Sequence, residues 1–276
     1  MIELTVAEVV RAMEGQLVFG DPAAMVSAVS TDTRTIQPGA LFVALVGDRY
    51  DAHRFVGEAI SRGAMGAVVG RDDAAELLAR INHPVSPQAG TRADPVIVRV
   101  SDTLRALQAL AREVRSRCTM PVVAVTGSNG KTTVKEMVAS VLSTRYRTLK
   151  TEGNLNNHVG VPLTLLALRR EHEAAVIEMG MNALGEIRRL CTIARPTVGV
   201  VTNVSAAHLE FLGSLENVVR VKRELVEWLG EDDIVVLNAD DAQSAALAEG
   251  LRRRYVWHGV EADAKVRAED VSVGPG

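Results

Sequence analysis

Short apolar runs alternate with stretches of helical period along almost the whole chain. Thr5 and Glu8 form a capping box, T-x-x-E, ahead of Val6, Val9, Val10 and Met13 at helical spacing, and Gly15 ends that helix. Short strands are predicted at 17–19 (LVF), 27–30 (SAVS) and 40–45 (ALFVAL), the last entered through the turn Gln37–Pro38–Gly39. A polar loop at 47–53 leads to a short helix over 54–63, a strand at 67–70 and a helix over 72–81. Residues 82–95 contain three prolines and no period, which reads as a surface loop, because VIVRV at 96–100 resumes as a strand. Asp102 or Ser101 then caps a helix carrying Leu104, Leu107, Leu110 and Val114.

From Pro121 the alternation becomes regular. Val122 to Val125 read as a buried strand, followed by a helix over about 131–144 with Val134, Met137, Val138, Val141 and Leu142 facing inward. A short strand, a polar loop at 151–162 and a helix opening at Pro162 over 163–168 come next. Strands at 174–179, 197–204, 233–238 and 255–259 alternate with helices at 185–193, from Ser214 to about Leu229, and at 241–254. Residues 266–273 hold at most one more strand. Strands alternating with helices predict an α/β fold with a largely parallel, doubly wound sheet. Two domains are expected, 1–118 and 119–276.

Composition narrows the class. The 276 residues are 47% hydrophobic and 24% charged, the profile of a globular protein of one large or two ordinary domains. A net charge of −3 argues against a broad nucleic-acid or polybasic membrane surface. No apolar run is long enough to span a bilayer, and the N-terminus carries acids where a signal peptide would be basic. Cys118 and Cys191 have no metal-type spacing and are expected as buried thiols in a reducing cytoplasm. Aromatics are only 3%, so the core must rest on Val, Leu, Ile, Ala and Met.

The candidate chemistry centres on PVVAVTGSNGKTT, residues 121–133. A strand, a small-residue loop (Thr126, Gly127, Ser128, Asn129, Gly130) and a helix N-terminus (Lys131, Thr132, Thr133) make a phosphate cradle. Backbone N–H groups and the helix dipole favour anions, Lys131 adds a point charge, and Thr132 sits where such loops hold Mg²⁺. The general pattern would put a glycine at 125, where this chain has Val125. Glu178, ending the strand AAVIE, is either a solvated strand-end acid or a metal-holding one. Asn203, His208 and Glu210 lie in a loop beyond the next strand, which makes His208 a candidate metal or phosphate ligand against the surface residue a lone loop histidine usually is.

Lys222 shares the apolar face of its helix with Val218, Val221, Leu225 and Leu229. Spacing alone favours a packed stem with its head in water. The alternative is a buried amine near the active site, which could take up CO₂ as a metal-binding carbamate. Asn154, Asn156 and Asn157 in GNLNN form either a turn or a face of the phosphate site. Asp32, Thr33 and Arg34 read as a surface salt bridge, with Arg34 able to fork onto a phosphate.

Taken as an ordered set, VTGSNGKTT, GNLNN…GVPLTLL, EMGMN, TNV…AHLEFLGS, the lysine in VKRELVEWL and the VLNADD strand end resemble the Mur ligase superfamily over nearly the whole chain. GNLNN with STDTRTIQPGALFVALVGDRYDAH resembles the branch that adds D-alanyl-D-alanine to UDP-N-acetylmuramoyl-tripeptide. The resemblance implies an ATP-dependent amide ligase of peptidoglycan synthesis, working through an acyl phosphate, cytoplasmic and monomeric. It implies a small N-terminal α/β domain holding the UDP moiety around Ser30 to Arg34 and residues 42–53, then a P-loop-type central domain with a mostly parallel sheet. By similarity Thr132 and Glu178 serve one Mg²⁺, His208 and a carbamylated Lys222 a second, and Asn238 the adenine side. The family's third domain is expected to be absent, the central domain to be incomplete at its C-terminal end, and this chain alone to be inactive or weak. The sibling that adds the third stem-peptide residue is disfavoured by GNLNN, and a generic P-loop kinase by the paired first domain. A non-catalytic UDP-muramoyl-peptide or nucleotide module is the reading from another class.

Overall fold

The structure is a computed structural model that describes residues 1–47, 50–70, 94–206, 209–261 and 264–270. The predicted helix at 72–81, most of the proline-bearing loop, His208 and the end of the 266–273 segment lie outside the described residues. The chain divides into two compact units, Met1–Arg117 with Leu165–Arg170, and Cys118–Thr164 with Glu171–Gly276.

The first unit runs β1 (Leu4–Thr5), α1 (Val6–Ala12), β2 (Gln16–Phe19), β3 (Met25–Val26), β4 (Val29–Ser30), β5 (Leu41–Val43), β6 (Val46–Gly47), β7 (Tyr50–Asp51), a 3-10 turn Ala52–Phe55, α2 (Val56–Ser61), β8 (Gly66–Val69), β9 (Val96–Arg99) and α3 (Thr103–Ser116). Its main sheet has the order β2-β9-β8-β5-β4, parallel except for β2. Phe42, Ala44, Val56, Ala67 and Ile97 pack its core. The capping box closes as predicted: the Thr5 hydroxyl accepts the Glu8 N–H, and Glu8 accepts the Thr5 N–H. Asp102, not Ser101, caps α3 by accepting from Leu104 and Arg105. The predicted polar loop at 47–53 is in part the antiparallel hairpin β6–β7.

In the second unit the elements are β10 (Val122–Thr126), α4 (Lys131–Ser143), β11 (Thr148–Lys150), α5 (Gly160–Leu166), β12 (Ala174–Glu178), α6 (Glu186–Ala194), β13 (Val198–Val201), α7 (Leu209–Leu212), α8 (Leu215–Trp228), β14 (Ile234–Asn238), α9 (Ser244–Ala248), β15 (Arg254–Gly259) and β16 (Val266–Arg267). Every pairing in the sheet β11-β12-β10-β13-β14-β15-β16 is parallel. The chain leaves β10 toward β11 on one side and returns through β13 on the other. The carboxyl ends of β10 and β13 therefore flank a topological switch point, where α/β sheets bind ligands. Among the described residues no helix is long and apolar enough to cross a membrane.

Three expectations for this unit are corrected. On α4, Met137 and Val141 are 63% and 70% exposed rather than inward, while Lys135 is fully buried. The helix lies over β10 and its neighbours on Val134, Val138 and Leu142, which turns the 137/141 row to solvent. The helix expected over 241–254 is only Ser244–Ala248. Asp241 accepts the N–H groups of Val204 (2.6 Å) and Gln243 (3.0 Å), which holds the chain in a turn, and Gly250 at φ +69° stops it. The helix expected to open at Pro162 begins at Gly160, because Asn157 Oδ1 accepts the N–H groups of Val159 (3.0 Å) and Gly160 (2.9 Å). Pro162 still falls in the first turn, where its missing N–H costs nothing.

Candidate functional site

β10 ends at Thr126, and the chain turns through Gly127 to Gly130 into α4. Gly130 takes φ +77°, a left-handed conformation that releases the helix from its loop. A Cβ on Gly127 would stand 1.8 Å from Thr202 Oγ1, so no side chain fits there. The segment after β13 staples the loop. Asn203 accepts the Ser128 N–H on its carbonyl and the Asn129 N–H on its side chain, each at 3.0 Å. The Thr202 hydroxyl donates to the Asn129 carbonyl at 2.6 Å. The Ser128 hydroxyl donates to the Ser205 carbonyl (3.0 Å) and accepts the Ser205 N–H (2.9 Å). These bonds hold the loop from within the chain, while the first N–H groups of α4 have no partner within the helix and suit an anion. Lys131 folds its Nζ onto the carbonyls of Gly127 (2.9 Å) and Ser128 (3.2 Å). Burial lowers its pKa, against the opposing pull of the Glu178 charge.

Glu178 is 2% exposed at the carboxyl end of β12 and is gripped on every side. The Thr132 hydroxyl donates to one carboxylate oxygen at 3.0 Å and the Asn156 amide to the other at 2.8 Å. Its own N–H donates to the Thr151 hydroxyl at 3.0 Å. Of the two sequence readings, the solvated strand-end acid is excluded by this burial. Asn156 also accepts the Gly180 N–H on its carbonyl, which ties the asparagine loop to the segment after β12. Asn157 caps α5, and Asn154 receives the Asn156 N–H at 2.7 Å. A pocket of about 310 Å³ opens beside the cradle, lined by Thr126, Gly127, Lys131, Asn156, Asn157 and Arg189 among others.

Lys222 does not snorkel. Its side chain is 0% exposed, and its Nζ is the buried side-chain nitrogen with no hydrogen-bond partner among the described residues. Burial, and then the Lys131 charge, lower its pKa from the ordinary 10.5 to about 7. The stem spans the apolar face of α8 and ends inside the protein, so among the described residues the head meets no hydrogen-bonding group. A lysine lowered in this way binds fewer protons folded than unfolded between pH 7 and 10.5, so stability rises with pH across that window. Below pH 7 the penalty is complete, on the order of 5 kcal/mol. In CO₂-free, metal-free buffer, Lys222→Met is expected to raise the melting temperature by several degrees at pH 7, with the gain shrinking toward pH 10. Thermal denaturation across that range checks it, and a gain that grows with pH would contradict it.

The other expected residues are dispersed. Asn238 ends β14 and accepts the Asp240 N–H at 3.0 Å. Thr133 is exposed in the first turn of α4. In the first unit, Arg34 forks both oxygens of Asp32 (2.6–3.1 Å) and is 83% exposed at its side chain, which is the surface pair that spacing suggested. That pair holds the Asp32 carboxyl down at about 2. Thr33 donates to Glu58 at 3.1 Å, and the Ser30 hydroxyl donates to the Asp32 carbonyl at 3.0 Å. His208 lies outside the described residues. Among those described, no three His, Cys, Asp or Glu side chains gather as a metal site. Thr202, Ser205, Thr151 and Lys135 were not singled out by sequence. Only Lys135 left a signal, one turn beyond Lys131 on the same helix.

Hydroxyl and carboxylate donors held together at 3.0 Å, as Thr132 and Glu178 are, suit a hard divalent cation such as Mg²⁺. The orphaned amine of Lys222 suits conversion to an anion.

Residues 125–275 match the Mur ligase middle domain, and residues 25–115 the Mur ligase family catalytic domain. The chain is 41% identical over 257 residues to the UDP-N-acetylmuramoyl-tripeptide–D-alanyl-D-alanine ligase of Escherichia coli (strain K12), covering 93% of this chain and 52% of that protein. A crystal structure of MurF from Acinetobacter baumannii superposes with a TM-score of 0.83 at 32% identity, over 98% of this chain and 56% of that one. MurF ligase from Thermotoga maritima in complex with ADP gives 0.69 at 32% identity, over 85% and 51%. The chain spans about half the length of the curated relatives it matches.

Proposed function

The chain belongs to the Mur ligase family, and from that premise we propose that it carries the ATP site and the UDP-sugar-peptide site of an ATP-dependent ligase. That ligase joins D-alanyl-D-alanine to UDP-N-acetylmuramoyl-tripeptide. The observation that carries the reading is the cluster on Glu178: a buried carboxylate held by Thr132 and Asn156 beside the loop-and-helix phosphate cradle.

The reaction must bring a peptide carboxylate against a triphosphate, two anions that repel. Lys131 answers part of that charge by exchanging two loop carbonyls for phosphate oxygens, at little reorganisation cost. Thr132 and Glu178 are the residues that would hold Mg²⁺, with Lys222 as carbamate and His208 at a second position. The metal, when bound, neutralises developing charge between the phosphates and the carboxylate. Asn156, Asn157 and Arg189 line the side of the pocket from which the carboxylate would enter, and Arg189 supplies a guanidinium suited to fork it. The carboxylate oxygen attacks the γ-phosphorus as the bond to ADP breaks. The amine of D-alanyl-D-alanine then displaces phosphate from the acyl phosphate. Asn238 serves the adenine side, and Ser30, Asp32, Thr33 and Arg34 the UDP moiety.

Phosphate release from ATP, measured on the polypeptide at its natural length, tests the reading. Release is expected to require both UDP-N-acetylmuramoyl-tripeptide and D-alanyl-D-alanine, and hydroxylamine in place of the amine should trap a hydroxamate. ATP hydrolysis indifferent to the peptide substrate would remove the ligase reading. ADP binding with no turnover would favour a nucleotide-binding module.

A further inference from the structure

Lys135 plays no part in the chemistry above, yet it closes a circuit around Glu178. Its side chain is fully buried beneath α4. Its Nζ donates to the Thr151 carbonyl at 2.8 Å and pairs with Glu136 at 2.8 Å. Thr151 is also fully buried, just past β11, the edge strand of the sheet. Its N–H donates to the Val176 carbonyl, and its hydroxyl accepts the Glu178 N–H. Glu178 in turn accepts from Thr132, which lies one helical turn before Lys135 on α4. The path therefore runs from α4 through Lys135, Thr151, Glu178 and Thr132 back to α4.

A buried ammonium is costly, and an apolar residue of similar size would ordinarily stabilise the fold more. What the lysine provides is a donor for a carbonyl that has left the sheet. With that carbonyl anchored, the Thr151 hydroxyl is fixed under the Glu178 backbone, and the carboxylate is fixed against the Thr132 hydroxyl.

We propose that Lys135 is a positioning residue that, through Thr151, holds Glu178 in register with Thr132 and so sets how tightly the site takes a divalent metal together with nucleotide. This rests on the reading of Thr132 and Glu178 as the Mg²⁺-holding pair. Groups that orient metal ligands from behind typically account for about 10- to 100-fold in metal affinity.

The test is calorimetric titration of ADP into the polypeptide at its natural length, in EDTA and again across a Mg²⁺ series. Lys135→Met is expected to raise the Mg²⁺ concentration at half-effect about tenfold while ADP affinity in EDTA stays within about twofold of wild type. Lys150→Gln, which removes the other cation on Glu136 and leaves Thr151 anchored, should leave the Mg²⁺ midpoint in place. A Lys135→Met protein with the wild-type midpoint overturns the inference, as does an equal loss of ADP affinity with and without Mg²⁺. If circular dichroism shows that variant unfolded, Thr151→Val, which keeps the carbonyl and deletes the hydroxyl, is judged by the same criterion. Wild-type ADP affinity that ignores Mg²⁺ overturns the metal pair itself. A wild-type response with unchanged variants overturns only the role of Lys135.

Discussion

Lys222→Met is expected to lower ATP-dependent ligation about a thousandfold while ADP still binds. The amine of Lys222 is enclosed, has no hydrogen-bond partner among the described residues, and is lowered by burial to a pKa of about 7. At neutral pH roughly half of such groups are neutral, against roughly one in three thousand for an ordinary lysine. A neutral amine adds to CO₂, forming an N–C bond and releasing a proton to solvent, and the product is an anion. That conversion turns an electrostatic liability beside Lys131 into a complementary charge. Methionine fills the same space and can do none of this. The same substitution that stabilises the metal-free fold should therefore inactivate the ligase, which separates loss of chemistry from loss of structure. Depleting CO₂ should lower wild-type turnover, and bicarbonate should restore it. Full turnover by Lys222→Met at ambient CO₂ would remove the carbamate role.

Lys131→Ala is expected to cut turnover by roughly a hundred- to a thousandfold and to weaken ADP binding, with UDP-sugar-peptide affinity unchanged. Its ammonium donates to the carbonyls of Gly127 and Ser128, inside the loop that would cradle the phosphates. No other cation in the loop can take its place: Arg carries a planar fork where the loop offers a point-charge niche, so Lys131→Arg should not rescue. The variant also carries a spectroscopic consequence. The Lys131 charge helps depress Lys222, so its removal should raise the Lys222 pKa, readable as an amine titration by NMR in the metal-free protein. Turnover within tenfold of wild type in Lys131→Ala would contradict the electrostatic role given to this residue.

Lys222 and Lys135 have environments that helical period does not determine. Both are lysines, and both are fully buried. Helical spacing put Lys222 on the buried face but could not say whether its head emerged, because that depends on what the stem meets beyond its own helix. On α4 the apolar pattern pointed to Val134, Met137, Val138, Val141 and Leu142; Val134, Val138 and Leu142 pack on the sheet, Met137 and Val141 do not, and Lys135 is buried instead. That packing set the helix's rotation, and the Lys135 head then met the Thr151 carbonyl.

Local chemistry along the chain determined a good deal by itself. The Thr5 capping box, the strand–loop–helix cradle at 122–133 and the βα alternation of the second unit rest on interactions between residues a few positions apart, and those are legible in order along the chain. Tertiary structure alone decided the rest. The cradle is stapled by Asn203 and Ser205, more than seventy residues on, and Glu178 is gripped by Thr132 and Asn156 from two other elements. The reason is physical: parallel strands need long crossovers, so residues distant in sequence meet at the switch point. Burial and charge there are set by neighbours that no local period can reveal.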